Sequence, residues 1–261
     1  KIVFTGSVPN GRRVLEGSVQ NLTPVVLELG GKDPLIVCDD ADLSQSVAGA
    51  LAGVFICSGQ MCLAAERIYV MDGIYDRFIE RVVEEARALR QGDPLAGNGA
   101  DIDVGAMTMP HQVDIVEHLV ADAVQKGAKV LVGGGRRPGG NFFQPTVLID
   151  VDHSMAIMRE ETFGPVMAIM RVRDDEHAIE LANDSVFGLG STVFSKDQAR
   201  ARRLADRLIA GSTCINDYGL AYMVQGLPFG GVRQSGFGRL NGREGLRACC
   251  NAKAVVGDRF P

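Results

Sequence analysis

The sequence has no block of consecutive lysines and arginines, and its 32 acidic residues outnumber the 27 Lys and Arg for a formal charge of −5. A nucleic-acid partner normally brings a basic patch, so that class is set aside. Histidine is scarce, with four in 261 residues and no HExxH. The six cysteines (Cys38, Cys57, Cys62, Cys214, Cys249, Cys250) form neither a secreted disulfide framework nor a paired CxxC zinc site. Reduced thiols, no bound metal and a cytoplasmic setting are therefore expected. Long apolar runs are missing too: the longest, Val47 to Cys57, is too short to span a bilayer. No signal-peptide pattern opens the chain, because KIVFTGS turns polar almost at once. Nor is there an internal repeat. Lys1 begins in mid-strand, which reads as a piece of a longer protein.

What is present is a chain 46% hydrophobic, enough for a substantial core in one large or two modest domains. Short strands alternate with amphipathic helices. Lys1 to Phe4, Pro24 to Leu29, Pro34 to Val37 and Ile68 to Val70 read as strands. So do Lys129 to Val132, Thr146 to Leu148, Val166 to Val172, Ser191 to Phe194, Thr213 to Ile215 and Ala252 to Val256. Helices are expected over Pro9 to Gln20, with Val14 and Leu15 facing inward, from the acidic cap at Asp39 to Asp42 as far as Phe55, and over Ile74 to Leu89. Three more cover Val113 to Lys126, Asp175 to Asn183 and Gln198 to Ile209. Gln91 to Gly105 and the glycine-rich Gly133 to Gly140 read as loops. This alternation favours an α/β fold with an open, largely parallel sheet.

Four places carry chemistry. Glu28 interrupts the apolar run PVVLEL, and a carboxylate in such a strand is paired, protonated or functional. It is either a strand-end group bonded to the Gly30-Gly31 turn or a general base. Cys62 follows Gly-Gln and precedes Ala64 and Ala65, small residues that let backbone approach a substrate. It is a nucleophile or one more buried thiol; Cys57, nearer a helix end, fits a core role better. Gly6, Ser7 and Gly11 could seat a phosphate at a helix N-terminus, although GxGxxG is absent there. In MREETFGPV, Glu161 and Phe163 are a solvated helix end and turn, or a ribose-bonding carboxylate and a ring beside a flat cofactor. LPFGGVRQSGFGR is a mobile loop or a backbone wrap around a site.

Taken together, FTGS, LELGGKDP, FICSGQMC, EETFGPV and PFGGVRQSGFGR stand in the order and approximate spacing of the aldehyde dehydrogenase superfamily, which the whole chain resembles. The resemblance implies the C-terminal half or so of such an enzyme: a catalytic domain of that type with remnants of a Rossmann-like cofactor domain. Its expected divisions are 1–30 for the cofactor domain, 31–234 for the catalytic domain, 235–248 returning to the cofactor domain, and 249–261 as an oligomerisation strand in a homodimer or homotetramer. Cys62 falls on the family's nucleophile and Glu28 on its general base, at the usual separation of 34 (62 − 28). Gly6, Ser7, Gly11, Leu29, Gln112, Glu161 and Phe163 fall on the NAD or NADP site. Cys57, Met61, Tyr218, Tyr222 and Phe229 fall on the aldehyde pocket. Cys57 and Met61 depart from the family's commoner residues there, which bears on substrate preference and leaves the reaction type alone. The ending EGLRACC and then DRF resembles a little-defined branch with plant, fungal and bacterial members.

The implied reaction is attack of a Cys62 thiolate on the aldehyde, hydride loss to give a thioester, and hydrolysis by Glu28-activated water. Local amides are expected to hold the thiolate, since the preceding helix presents its negative end. Two rivals stand beside this: a dehydrogenase that passes the thioester to coenzyme A, against which Glu28 speaks, and a non-catalytic relative or inactive fragment.

Overall fold

The computed structural model describes residues 1–96 and 101–259. Positions 97–100 of the expected Gln91 to Gly105 loop lie outside the described residues, as do Phe260 and Pro261 at the chain end. Strand β1 (Ile2–Thr5) leads through Gly6-Ser7 into helix α1 (Val8–Ser18), and β2 (Val25–Glu28) pairs parallel with β1. β3 (Asp33–Val37), α2 (Leu43–Phe55), β4 (Ala65–Met71), α3 (Asp72–Ala88) and α4 (Pro110–Gln125) follow. Next come β5 (Lys129–Val132), β6 (Arg136–Arg137), β7 (Phe142–Phe143), β8 (Thr146–Ile149) and β9 (Val166–Val172). α5 (Asp175–Asn183), β10 (Thr192–Phe194), α6 (Gln198–Ala205), β11 (Cys214–Ile215), α7 (Leu220–Met223), β12 (Gly236–Phe237) and α8 (Gly242–Ala248) complete the order.

Two sheets carry the site. The larger has seven strands in the order β11-β10-β3-β4-β9-β8-β5, parallel except for the β5–β8 pair. Its central strands are mostly apolar because both faces are covered, with Asp33, Glu66 and Arg67 as charged exceptions at the start of β3 and β4. One core cluster packs Val47 and Phe55 of α2 and Phe78 and Val82 of α3 with Leu35, Ile68 and Ile169 of the sheet. The other packs Val116 and Leu119 of α4, Ala178 of α5 and Leu204 of α6 with Ile36, Tyr69 and Ala168. Capping fixes the helix starts: Asp42 accepts from the Gln45 amide, Asp174 from that of His177, and Asp197 from those of Ala199 and Arg200. The smaller sheet has the order β1-β2-β12, with β12 returning antiparallel to β2 so that Gly236 sits opposite Glu28.

Most elements match the sequence reading within a residue or two. Four readings need correction. Leu15 of α1 is 39% exposed; the helix turns Gly11 and Ser18 inward instead. The stretch expected as a Gly133 to Gly140 loop contains β6, which pairs with β7 in a small hairpin. α6 stops at Ala205, before Ile209. Ala252 to Val256 forms no strand. Among the described residues no strand pairs with it, and Val256 is 94% exposed. Among the described residues, no helix is long and apolar enough to cross a membrane.

Candidate functional site

Glu28 ends the small sheet and Cys62 precedes a central strand of the large one. The Gly30-Gly31 turn brings the two together. A Cβ on Gly31 would collide with the Cys62 carbonyl oxygen, so only glycine permits this approach. Ser235 staples the turn: its hydroxyl donates to the Gly30 carbonyl (2.7 Å) and accepts from the Gly188 amide (3.0 Å), while its carbonyl accepts from the Leu29 amide. Of the two readings of Leu227 to Arg239, a mobile loop or a backbone wrap, these bonds favour the second. Phe229 and Leu240 exchange backbone hydrogen bonds, and Ser235 is fully buried.

After α2 the chain turns through three left-handed residues, Cys57 (φ 52°), Ser58 (φ 57°) and Gly59 (φ 71°). Conformations of this kind are costly for side-chain-bearing residues and persist only where the surroundings hold them. Here the Ser58 hydroxyl donates to the Gly105 carbonyl (2.9 Å), and Gln60 accepts from the Thr108 amide (2.7 Å) and donates to the Cys57 carbonyl (3.0 Å). Cys57 is exposed on this turn, which corrects the core role that its sequence position suggested. Cys62 emerges half-buried.

The Cys62 thiol meets a dry and negative environment. Burial pushes its pKa up, and the carboxyls of Glu28, Asp33 and Glu161 add to that. The expected amide-stabilised resting thiolate is thus corrected: desolvation and neighbouring acids favour the protonated thiol. Glu28 is itself raised by burial, with a hydrogen bond from Cys62 pulling the other way. Among the described residues, Glu28 Oε1 is the one buried side-chain oxygen or nitrogen with no hydrogen-bond partner. Such an atom costs stability and is retained where a function uses it.

On the small-sheet side, Gly6 and Ser7 open α1, and Ser7 is exposed with its hydroxyl not spent on capping the helix. Gly11 lies directly against the buried Leu29 side chain. Facing the Gly30-Gly31 turn, Glu161 accepts from the Gly31 amide at 3.1 Å. Burial, and then the Glu66 charge, push its pKa up to about 7. Phe163 beside it sits at φ 46°. Gln112 reaches the same segment, its side-chain amide donating to the Thr162 carbonyl at 2.9 Å. MREETFGPV is divided: Arg159 and Glu160 are exposed after a short helical turn at Ala156–Met158, and from Thr162, at 1% exposure, the segment is buried or half-buried.

Tyr218, Tyr222 and Phe229 line one cavity together with Leu63, Asp33 and Cys214. Tyr222 and Phe229 meet edge-to-face with ring centroids 5.3 Å apart, and Tyr218 donates to the Leu63 carbonyl at 3.1 Å. Cys57 and Met61 do not line this cavity. Sequence reasoning passed over Lys32 and Glu66, a buried pair at 2.5 Å. The signal was present, since Glu66 in AERIYVM is an acid inside an apolar strand just as Glu28 is in VVLEL.

Comparison with known proteins places this geometry. The sequence model described as the aldehyde dehydrogenase family matches residues 1–255. A succinate semialdehyde dehydrogenase [NAD(P)+] of Escherichia coli is 43% identical over 99% of this chain and 55% of its own length. The 4,4'-diapolycopene aldehyde oxidase of Methylomonas sp is 44% identical over 94% of this chain and 45% of its own. The crystal structure of a betaine aldehyde dehydrogenase from Staphylococcus aureus in complex with NAD+ superposes with a TM-score of 0.88 at 38% identity, covering 94% of this chain and 49% of that one. The chain spans about half the length of the curated relatives it matches.

Proposed function

The chain belongs to the aldehyde dehydrogenase family, and from that premise we propose that it carries the catalytic half of an NAD(P)-dependent enzyme oxidising an aldehyde to a carboxylic acid. The observation that carries this reading is the unpartnered Oε1 of Glu28, buried beside the Cys62 thiol. A carboxylate with a free acceptor is poised to take a proton, first from the thiol and later from water.

The dinucleotide fits the residues at hand because the exposed Ser7 hydroxyl and the first turn of α1 have no side-chain cap competing for that end. Gly6, Ser7 and Gly11 would receive the pyrophosphate, and Glu161 and Phe163, with Gln112 and Leu29 behind them, the nicotinamide end. When bound, the nicotinamide supplies the hydride acceptor. Glu28 removes the Cys62 proton, the sulfur bonds to the aldehyde carbon, and the carbonyl oxygen becomes the oxyanion of a thiohemiacetal. The Cys62 backbone N–H is the donor in this chain that can hold it. Loss of the carbon-bound hydrogen as hydride restores the carbonyl as a thioester. Glu28 releases the thiol proton to solvent and, ionised again, takes a proton from water as the hydroxide adds to the thioester; the carbon–sulfur bond then breaks, releasing the acid, and the departing Cys62 thiolate takes the proton back from Glu28. Tyr218, Tyr222 and Phe229 give the aldehyde an aromatic wall with an exposed end at Tyr222. Residues 1–30 and 235–248 serve the cofactor side and 31–234 the catalytic side. The 249–261 segment is assigned the strand that pairs between subunits of a homo-oligomer.

The test is NAD(P)H formation by the full-length enzyme over a panel of small and apolar aldehydes, with and without coenzyme A. Acid formation without coenzyme A, abolished by Cys62→Ala while the dinucleotide still binds, is the expected result. Coenzyme-A-dependent turnover, or turnover that survives Cys62→Ala, would overturn it.

A further inference from the structure

Each proposed catalytic residue is followed, four positions on, by one member of a buried ion pair: Lys32 after Glu28, and Glu66 after Cys62. The pair is enclosed, Lys32 at 1% and Glu66 at 4% exposure. Glu66 Oε2 accepts from Lys32 Nζ (2.5 Å) and from the Thr162 amide (2.7 Å), while Oε1 accepts from the Phe163 amide (2.9 Å). Lys32 Nζ also donates to Thr162 Oγ1 (2.8 Å). Arg67, itself buried, holds the Lys32 carbonyl through Nε at 2.8 Å. One carboxylate thus ties together the turn after Glu28, the strand after Cys62, and the segment carrying Glu161 and Phe163.

We propose that Glu66 is a positioning residue for the dinucleotide: by gripping two consecutive amides it fixes Glu161 and Phe163 relative to Cys62. This rests on the reading of the site given above. The backbone supplies the physical reason. Phe163 is held at φ 46°, where an aromatic residue does not rest unaided. Charge-assisted hydrogen bonds to the consecutive Thr162 and Phe163 amides give that conformation its hold. Lys32 has a separate task, which is to set a positive charge against Glu66 Oε2 where both side chains are enclosed. The two roles separate experimentally. A charge-neutral apolar replacement of both partners removes the grip without stranding a charge, and such replacements commonly leave a fold intact.

The experiment titrates NAD+ and NADP+ into the full-length enzyme by calorimetry and records Tm, for wild type, Glu66→Gln and Lys32→Met/Glu66→Leu. The expected result is a double variant with a Tm near wild type and a dinucleotide Kd raised about tenfold or more, the loss of two charge-assisted bonds. Glu66→Gln weakens binding in the same direction if it folds. Wild-type affinity in the double variant would overturn the inference, and so would loss of the fold in both variants, which would make the cluster a support of the core. Wild-type enzyme that binds neither dinucleotide would sink the reading of the site and this inference with it. Wild-type binding retained in the variants would sink this inference alone.

Discussion

Glu28 and Glu66 are both glutamates at 3–4% exposure, one closing the small sheet and the other opening a central strand of the large one. Glu66 has three donors on its carboxylate; Glu28 has one oxygen with none. The surroundings explain the contrast. Around Glu66, two covered sheet faces and a lysine leave no direction for the carboxylate to move. Around Glu28, the glycine turn opens toward a thiol. A buried acid with both oxygens engaged holds structure, whereas one with an oxygen to spare is available for proton transfer.

Breaking the Glu28 side should give the largest effects, and they should appear in rate rather than stability. Cys62→Ala in the full-length enzyme is expected to cut turnover by about 10,000-fold or more, as removal of a covalent nucleophile does. Glu28→Gln should slow steady-state turnover by about 100-fold or more with a Tm at or above wild type, since it removes a poorly solvated carboxylate. Stopped-flow and thermal melts on the same variant check both halves. The pH profile sharpens the point. Glu28 sits above the ordinary carboxylate range and the Cys62 thiol is raised, so wild-type kcat climbs as pH rises from acid. The limb belonging to Glu28 should vanish in Glu28→Gln.

Breaking the Glu66 side should show first in stability. Glu66→Ala leaves Lys32 charged, buried and unpaired, a loss of about 3–5 kcal/mol by denaturant titration. An equal stability loss in Glu28→Gln would erase the contrast between the two residues. The smallest effect concerns Asp33, which burial pushes up to about 8 against the pull of the Gly190 amide. An acid whose folded pKa exceeds its unfolded value keeps its proton longer when folded. Its stabilising contribution is therefore whole below the ordinary value of 3.8 and is lost as pH rises through about 8. Asp33→Asn should flatten the fall in Tm over that window.

The large sheet was legible in the sequence because its strands announce themselves twice, by apolar runs such as DPLIV and by the amphipathic helices between them. Glu28 and Cys62 were legible as an acid out of place and a thiol among small residues. Three things were not. The left-handed turn at Cys57 and Ser58 depends on Gly105 and Thr108, which lie more than forty positions away. The upward push on the Cys62 thiol comes from burial and then from carboxyls at Glu28, Asp33 and Glu161, which only the fold brings to it. Lys32 and Glu66 form a pair only once two strands lie side by side, with Asp33 opposite Ala65. Ala252 to Val256 differs for the opposite reason: its apolar residues suit a strand, and among the described residues no strand pairs with them.

The most direct measurement is intact-peptide mass spectrometry of full-length Glu28→Gln quenched after mixing with NAD(P)+ and a turned-over aldehyde. An acyl group on the peptide containing Cys62, at a level matching the NAD(P)H released, is the predicted result. NAD(P)H release with Cys62 unmodified, or with the acyl group on another residue, would contradict the account.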